Sequence, residues 1–420
     1  MRFTTPLIAA SLPFLVLSSP TRIHSNEKGR SIPISKRGST FVDHGVVNIT
    51  ALRAHLAYVG AKYHIGLKNY ERNTSPVHPL AWDRATHATK RDITTSALTD
   101  VRDSIWWGNI SVGNPPVTFA IYFDTGSSDF FIPDVSCMNC GALRSARYSP
   151  SLSSTSSAVG KSFSLVYGDG SSVSGYQYID AVTVAGLTAK RQTLGSATAL
   201  SQNFQTGAMD GLMGLAWPAS SEFGATPFFN TLMQQGTVSQ GVFAFYLSES
   251  GSELRLGGTD ESLYSTPLQW IPVTQRFYWR VGLDKVNVRG TEVVSGLSAI
   301  IDSGTTLIVG DPPTVREFYR HIPDSAIIKG DVNNEFFTYP CHYDPRISVT
   351  FNGASYPIGF NFGPVSNGSS QCLGGIVGLA GTPFWILGDI FMRSVYTAFN
   401  FDNASIGFAR LKSEWDPKFS

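Results

Sequence analysis

Cysteine and histidine are scarce in this chain, and no long apolar run follows its first twenty residues. The 420 residues hold four cysteines, Cys137, Cys140, Cys341 and Cys372, and beyond residue 91 the only histidines are His321 and His342. Cys137 and Cys140 have the spacing of half a zinc site, but no second close pair follows, so neither a metal nor another cofactor is expected. His-Glu-x-x-His and Gly-x-Ser-x-Gly are both absent, which removes the usual signatures of zinc peptidases and serine hydrolases. Gly160-Lys161-Ser162 has the form of the end of a phosphate-binding loop, yet position 155, where its leading glycine belongs, is threonine. After the N-terminus no stretch approaches the roughly 20 apolar residues of a membrane-spanning helix, so no membrane anchor is expected. With 42% hydrophobic and 15% charged residues, the composition is that of an ordered globular protein with room for two or more cores.

What is present begins with a leader. Arg2 precedes an apolar run from Pro6 to Leu17 and then small residues up to Pro20, the layout of a secretory signal over residues 1–20. From Thr21 to Arg91 there are 12 Lys and Arg against 4 Asp and Glu, whereas from Asp92 onward there are 19 against 27. Alone, the basic stretch would suggest nucleic acid or a membrane surface. A propeptide over residues 21–91 that neutralises an acidic body explains it better, because Lys36-Arg37 and Lys90-Arg91 are dibasic pairs of the kind that secretory processing cuts. Solvated surface charge is the alternative, above all for the first pair. Nucleic acid is therefore not an expected partner. In a secreted chain the cysteines read as two disulfides, Cys137 with Cys140 and Cys341 with Cys372. The second would close a loop worth about 3 to 4 kcal/mol in the chain-entropy model.

Residues Ile49 to Tyr70 carry a helical spacing that Asn73 to Pro79 breaks. After Asp92 the texture is short β-forming runs punctuated by Gly, Ser, Asn and Pro, such as Trp106 to Val112, Thr118 to Phe123 and Tyr176 to Val184, which predicts an all-β body. Only Pro227 to Gln235 and Pro313 to His321 read as helices there. Of the sequons at Asn48, Asn73, Asn109, Asn367 and Asn403, only Asn367 is favoured as a glycan site, because Asn109 and Asn403 lie in strand-like runs.

The strongest signal is a repeat. Ile121-Tyr122-Phe123-Asp124-Thr125-Gly126-Ser127-Ser128 returns as Ile300-Ile301-Asp302-Ser303-Gly304-Thr305-Thr306. Each copy delivers a carboxylate from an apolar strand into a tight turn, where glycine lets backbone approach closely and hydroxyls can bond the carboxylate. An apolar pair and a glycine follow at similar intervals, Leu212-Met213-Gly214 and Ile386-Leu387-Gly388. Two related halves, each contributing one aspartate, are the simplest explanation.

With Tyr167-Gly168-Asp169-Gly170-Ser171, Asp210-Gly211-Leu212-Met213-Gly214-Leu215 and Trp385-Ile386-Leu387-Gly388-Asp389, the chain from about Leu98 to Ala409 resembles the pepsin-like aspartic proteases, most closely those secreted by fungi. The resemblance implies a bilobal all-β fold, an N-terminal lobe over 92–271 and a C-terminal lobe over 272–420 with a cleft between them. It implies that Asp124 and Asp302 are the catalytic pair and that Ser127 and Thr305 bond their outer oxygens. Thr125 and Ser303 would tie the two loops together beside Gly126 and Gly304, and Tyr167, Gly168 and Asp169 would form a substrate-binding flap. Two departures stand out: Ser303 where the family often has threonine, and Phe131 where many members place the tryptophan that anchors the flap tyrosine. The expected enzyme is a monomeric endopeptidase made as a zymogen, acting at acid pH on polypeptides, inhibited by its own propeptide, and secreted, with the vacuole as the alternative. Lys62 or Lys68 is the candidate to face the aspartates in that zymogen, and Asp169 the candidate to read a lysine before the scissile bond. The same fold can serve as a binding protein that has lost catalysis, but such members commonly lose an aspartate or its support, and here both sets are complete.

Overall fold

The computed structural model describes residues 29–36, 41–74, 106–137, 140, 146–166, 172–201, 209–248, 251–328 and 333–412. The signal segment, the Lys90-Arg91 pair with the proposed boundary beside it, and the flap residues Tyr167, Gly168 and Asp169 lie outside the described residues.

The all-β expectation holds, and the repeat is visible in the strand pairing. In the first half Val117–Asp124, Gly211–Gly214, Phe130–Pro133 and Leu187–Leu200 lie side by side in an eight-stranded sheet, joined in turn by parallel, antiparallel and parallel pairing. In the second half Thr291–Ile301, Trp385–Leu387, Ile308–Gly310 and Ile376–Leu379 adopt the same order and the same senses in a nine-stranded sheet. Register then explains the spacing of the motifs: Gly214 stands opposite Asp124, and Ile301 opposite Leu387. A Cβ on Gly214 would meet the backbone of Ser127 and Ser128, and one on Gly388 the carbonyl of Thr305. Both glycines are therefore required for the close approach of backbone to the aspartate loops.

A six-stranded sheet joins the halves, in the order Arg30–Pro33, Glu253–Leu256, Val242–Tyr246, Tyr396–Asn400, Ser405–Ala409 and Gln269–Pro272. It draws strands from the leader, from the first half and from the C-terminal end. The 271/272 divide consequently falls inside one of its strands. Aromatic packing welds it to both lobes, with Trp279 lying 5.0 Å from Trp217 and 5.1 Å from Phe399, and donating its indole N–H to Leu215 O at 3.0 Å.

Helix α1 (Ile49–Thr74) lies along the cleft. Asn48 caps it, its Oδ1 accepting from Ala51 N at 3.0 Å. Leu52, Leu56, Val59, Tyr63 and Leu67 are buried at spacings of three and four, but so are Ala51, Ala54, Lys62 and Asn69, so the helix is sunk between the lobes and not laid upon one. It runs through Asn73, where the sequence predicted a break. There the amide of Asn73 donates to Ala219 O and Ser221 O, at 3.1 and 2.9 Å, so tertiary bonds hold a residue whose local preference is to end a helix. The body contains the expected helices as Phe228–Gln234 and Pro312–Tyr319, and also a short one, Asp389–Met392. The disulfides join Cys137 to Cys140 and Cys341 to Cys372. Asn367 is exposed in a turn; Asn403 also sits in an exposed turn and not in the strand expected for it.

Candidate active site

Asp124 ends its strand and Asp302 directly follows its own at the floor of the cleft, and both are fully buried. Each carboxylate is held in the same way. Gly126 N and Gly304 N donate to the Oδ1 of their own aspartates at 2.8 Å, while Ser127 Oγ reaches Asp124 Oδ2 at 2.6 Å and Thr305 Oγ1 reaches Asp302 Oδ2 at 2.5 Å. A Cβ on Gly126 would collide with the Asp302 carboxylate, and one on Gly304 with that of Asp124. Glycine is what lets the carboxylates share one space.

The loops are locked to each other across the lobes. Ser303 N donates to Thr125 Oγ1 and Thr125 N to Ser303 Oγ, each at 3.0 Å; the two hydroxyls then donate onward to Ile301 O and Phe123 O. Every atom that Ser303 uses is backbone or its hydroxyl, so serine serves where threonine is usual, and the missing methyl costs no bond. Tyr122 adds a further tie from its hydroxyl to Ser303 O at 3.0 Å.

Lys62 occupies the space between the aspartates. Its ammonium donates to Asp302 Oδ2 at 2.6 Å and to Asp124 Oδ1 at 3.1 Å, and the side chain is buried. Lys68, the other candidate, points to solvent. Tyr63 donates to Asp302 Oδ2 at 2.9 Å, and its ring packs edge-on against Tyr278 at 4.8 Å. On the far side His55 Nε2 accepts from Thr306 N at 3.2 Å, which pins the helix to the second aspartate loop.

Charge is shared unevenly. Burial pushes Asp124 up to about 6, against the pull of Lys62 and with the help of the Asp302 charge. Burial acts on Asp302 in the same sense, but Lys62 and Thr305 outweigh it and hold that carboxyl down at about 2. Burial alone would push the Lys62 amine down; the two carboxylates hold it above its ordinary value. The geometry thus brings two inequivalent carboxylates onto one small polar group, an arrangement able to take a proton at one carboxyl and give one at the other.

Tyr63, Tyr278 and Asp129 went unnoticed in the sequence. Tyr63 adjoins Lys62, and a polar aromatic beside the candidate lysine was a usable signal. Asp129 lies two residues beyond Ser127, beneath the loop Pro218–Glu222, where it accepts from Ser221 Oγ and Glu222 N, both at 2.6 Å, and from Phe223 N at 3.2 Å. Phe131 is buried among the cleft residues.

Comparison with known proteins gives the family of the chain as a whole. The family model described as Eukaryotic aspartyl protease matches residues 105–411. An aspartic protease of Phaffia rhodozyma is 38% identical over 361 residues, covering 81% of this chain and 88% of that protein. Cathepsin D of Gallus gallus is 36% identical, covering 76% and 83%, and gastricsin of Callithrix jacchus is also 36% identical, covering 74% and 82%. The chain belongs to the eukaryotic aspartyl protease family, as a pepsin-like aspartic endopeptidase.

Proposed function

We propose that the protein is made as a zymogen whose helix α1 blocks the cleft, and that the opened enzyme hydrolyses peptide bonds through a water activated by Asp124 and Asp302. The observation that carries this is the Lys62 ammonium bonded to both carboxylates at the cleft floor. Once the lysine withdraws, a water donating to the same two oxygens takes its place. The ionised carboxyl removes a proton from that water as it attacks the peptide carbonyl, and the protonated one polarises the carbonyl oxygen and later supplies the proton for the departing nitrogen. Titration belongs to the pair and not to either residue. One chain supplies both aspartates, so a monomer suffices. The basic leader fits an acidic body best while carboxylates are ionised, which makes acid the natural release signal in the secreted or vacuolar setting that the N-terminal signal implies. The flap assignment of Tyr167, Gly168 and Asp169 is part of this proposal; the described flank Leu165 is buried at the cleft wall beside Lys62 and Phe131.

The test is proteolysis by the purified full chain. It should be inert toward denatured haemoglobin at neutral pH, and after acidification it should cleave the substrate and be blocked by a statine-type transition-state inhibitor. Asp124→Asn and Asp302→Asn should each abolish cleavage without lowering the unfolding temperature of the closed chain by more than a few degrees. Either variant with activity within tenfold of the parent would remove the aspartates from the mechanism. Sequencing the N-terminus of the active form locates the cut, which is expected after Arg91.

A further inference from the structure

The loop Pro218–Glu222 in the first lobe offers helix α1 a row of acceptors. Ala219 O and Ser220 O accept from Asn73 Nδ2 and Asn69 Nδ2, each at 3.1 Å. Ser221 O accepts from Asn73 Nδ2 at 2.9 Å and from Arg72 Nη2 at 3.1 Å, and Glu222 O accepts from Arg72 Nη2 at 2.9 Å. The Glu222 carboxylate takes the other arm of the guanidinium, Oε1 to Nη1 at 3.1 Å. Four successive carbonyls face outward because the amides behind them are engaged. Ser220 N and Ser221 N close turns on Trp217 O and Pro218 O, and the amides of Glu222 and Phe223 are held from beneath by Asp129. The surface is thus prearranged, by a buried carboxylate, to present acceptors and one negative charge.

A guanidinium has five N–H donors in a planar fork and no acceptor, which is the complement of such a surface; an ammonium would satisfy fewer of its groups. Departure of helix α1 leaves the row open along the same cleft. We infer that this loop and Glu222 then bind an arginine side chain of the peptide substrate, so that Glu222 determines specificity at a distance from the scissile bond. This rests on the proteolytic function proposed above. Arg72 is ten residues along the helix from Lys62, about 15 Å at helical rise, and an extended peptide spans that in about four or five residues. The preferred arginine is therefore expected four or five residues from the bond that is cut.

The test uses the acid-activated full chain and peptides with one cleavage site. Arginine or its neutral isostere citrulline is placed singly at each of the third to sixth positions on both sides, at a pH of about 5.5. The ratio of kcat/KM for arginine over citrulline is expected to reach about tenfold, as for one charge-assisted contact, at one position and to stay near one elsewhere. Glu222→Gln should bring that ratio to about one, and Glu222→Lys should reverse it, favouring glutamate at that position. Since each variant is judged by a ratio of two peptides, a general loss of activity does not imitate the result. Equal rates for arginine and citrulline at every position, or a preference that survives in Glu222→Gln, would overturn the inference while leaving the enzyme a protease. Failure to cleave any peptide, or cleavage by Asp124→Asn, would instead refute the proposed function beneath it.

Discussion

Lys62 gives the closed cleft a definite dependence on pH. Asp302, held at about 2 against an ordinary 3.8, stabilises the closed form above the ordinary value, and that contribution is lost as the pH falls through 2. Asp124, raised to about 6, acts in the opposite sense: its contribution is present below its ordinary value and is lost as the pH rises through 6. Both contributions are present together near pH 4, where the dyad holds the helix best, and acid release that depends on it sets in below about pH 4 as the Asp302 contribution is lost. Replacing Lys62 by methionine leaves two carboxylates facing an apolar side chain, so activity should appear already at about pH 5 to 6. The check is the rate at which activity appears after jumps to a series of pH values; superimposable profiles for the parent and Lys62→Met would contradict it. The choice between Lys62 and Lys68 was legible in part. Lys62 has Val59 and Gly66 as its helical neighbours, whereas Lys68 has His64 and Arg72, so the first shares an apolar face and the second a polar one. Nothing in those neighbours indicated that Tyr63 would also reach the aspartate, because that depends on the depth to which the helix sinks.

At the scale of elements, the same helix shows a glycine used against helix propensity. Gly66 is buried, and a Cβ there would strike the hydroxyl of Tyr278, itself buried against Tyr63. Gly66→Ala would favour the isolated helix by about 1 kcal/mol, yet in the cleft it forces Tyr278 and the helix apart. The closed form is thus expected to open more readily, with acid activation faster than in the parent; slower activation would show that propensity outweighs the clash. The Cys341–Cys372 bridge spans 31 positions and the Cys137–Cys140 bridge only 3, so in the chain-entropy model the first contributes more, about 3 to 4 kcal/mol. Replacing both Cys341 and Cys372 by alanine should lower the denaturant-derived stability by that order, and the corresponding change at Cys137 and Cys140 by less. The aspartate strands were readable because apolar residues run unbroken into Asp-Thr-Gly and Asp-Ser-Gly. Leu187–Leu200 was not, since its Lys190, Arg191 and Gln192 interrupt the alternation at a register shift between Ala189 and Gln192, where the pairing is irregular.

Over the whole molecule, the N-terminal segment is built into the fold, so the proposed propeptide is more than a plug. Arg30–Pro33 is an edge strand of the sheet that joins the lobes, paired with Glu253–Leu256, and Ser35–Lys36 pairs with Trp106 and Trp107 at the edge of the first lobe. Ile32 and Ile34 belong to the main core, and Phe41, Leu52, Leu56, Val59, Tyr63 and Leu67 are buried together with Tyr122, Ile300, Leu307 and Ile386 from both walls of the cleft. The sequence signalled a basic leader and a helix, but not a strand at 30–33, because four residues that alternate only once carry too little pattern. Fully burying one such apolar side chain is worth about 1.5 to 3 kcal/mol, so the contacts do not depend on the peptide link between leader and body. The expected consequence is that a single cut after Arg91, made at neutral pH by a protease whose recognition sequence is introduced only there, leaves residues 21–91 bound. Size exclusion should return one peak with both fragments and no proteolytic activity. Separation should follow only on acidification, when Asp302 and the other carboxylates facing the basic leader are neutralised. A leader fragment that elutes alone at neutral pH, with activity released at once, would mean that the covalent link and not the packed surface keeps the cleft closed.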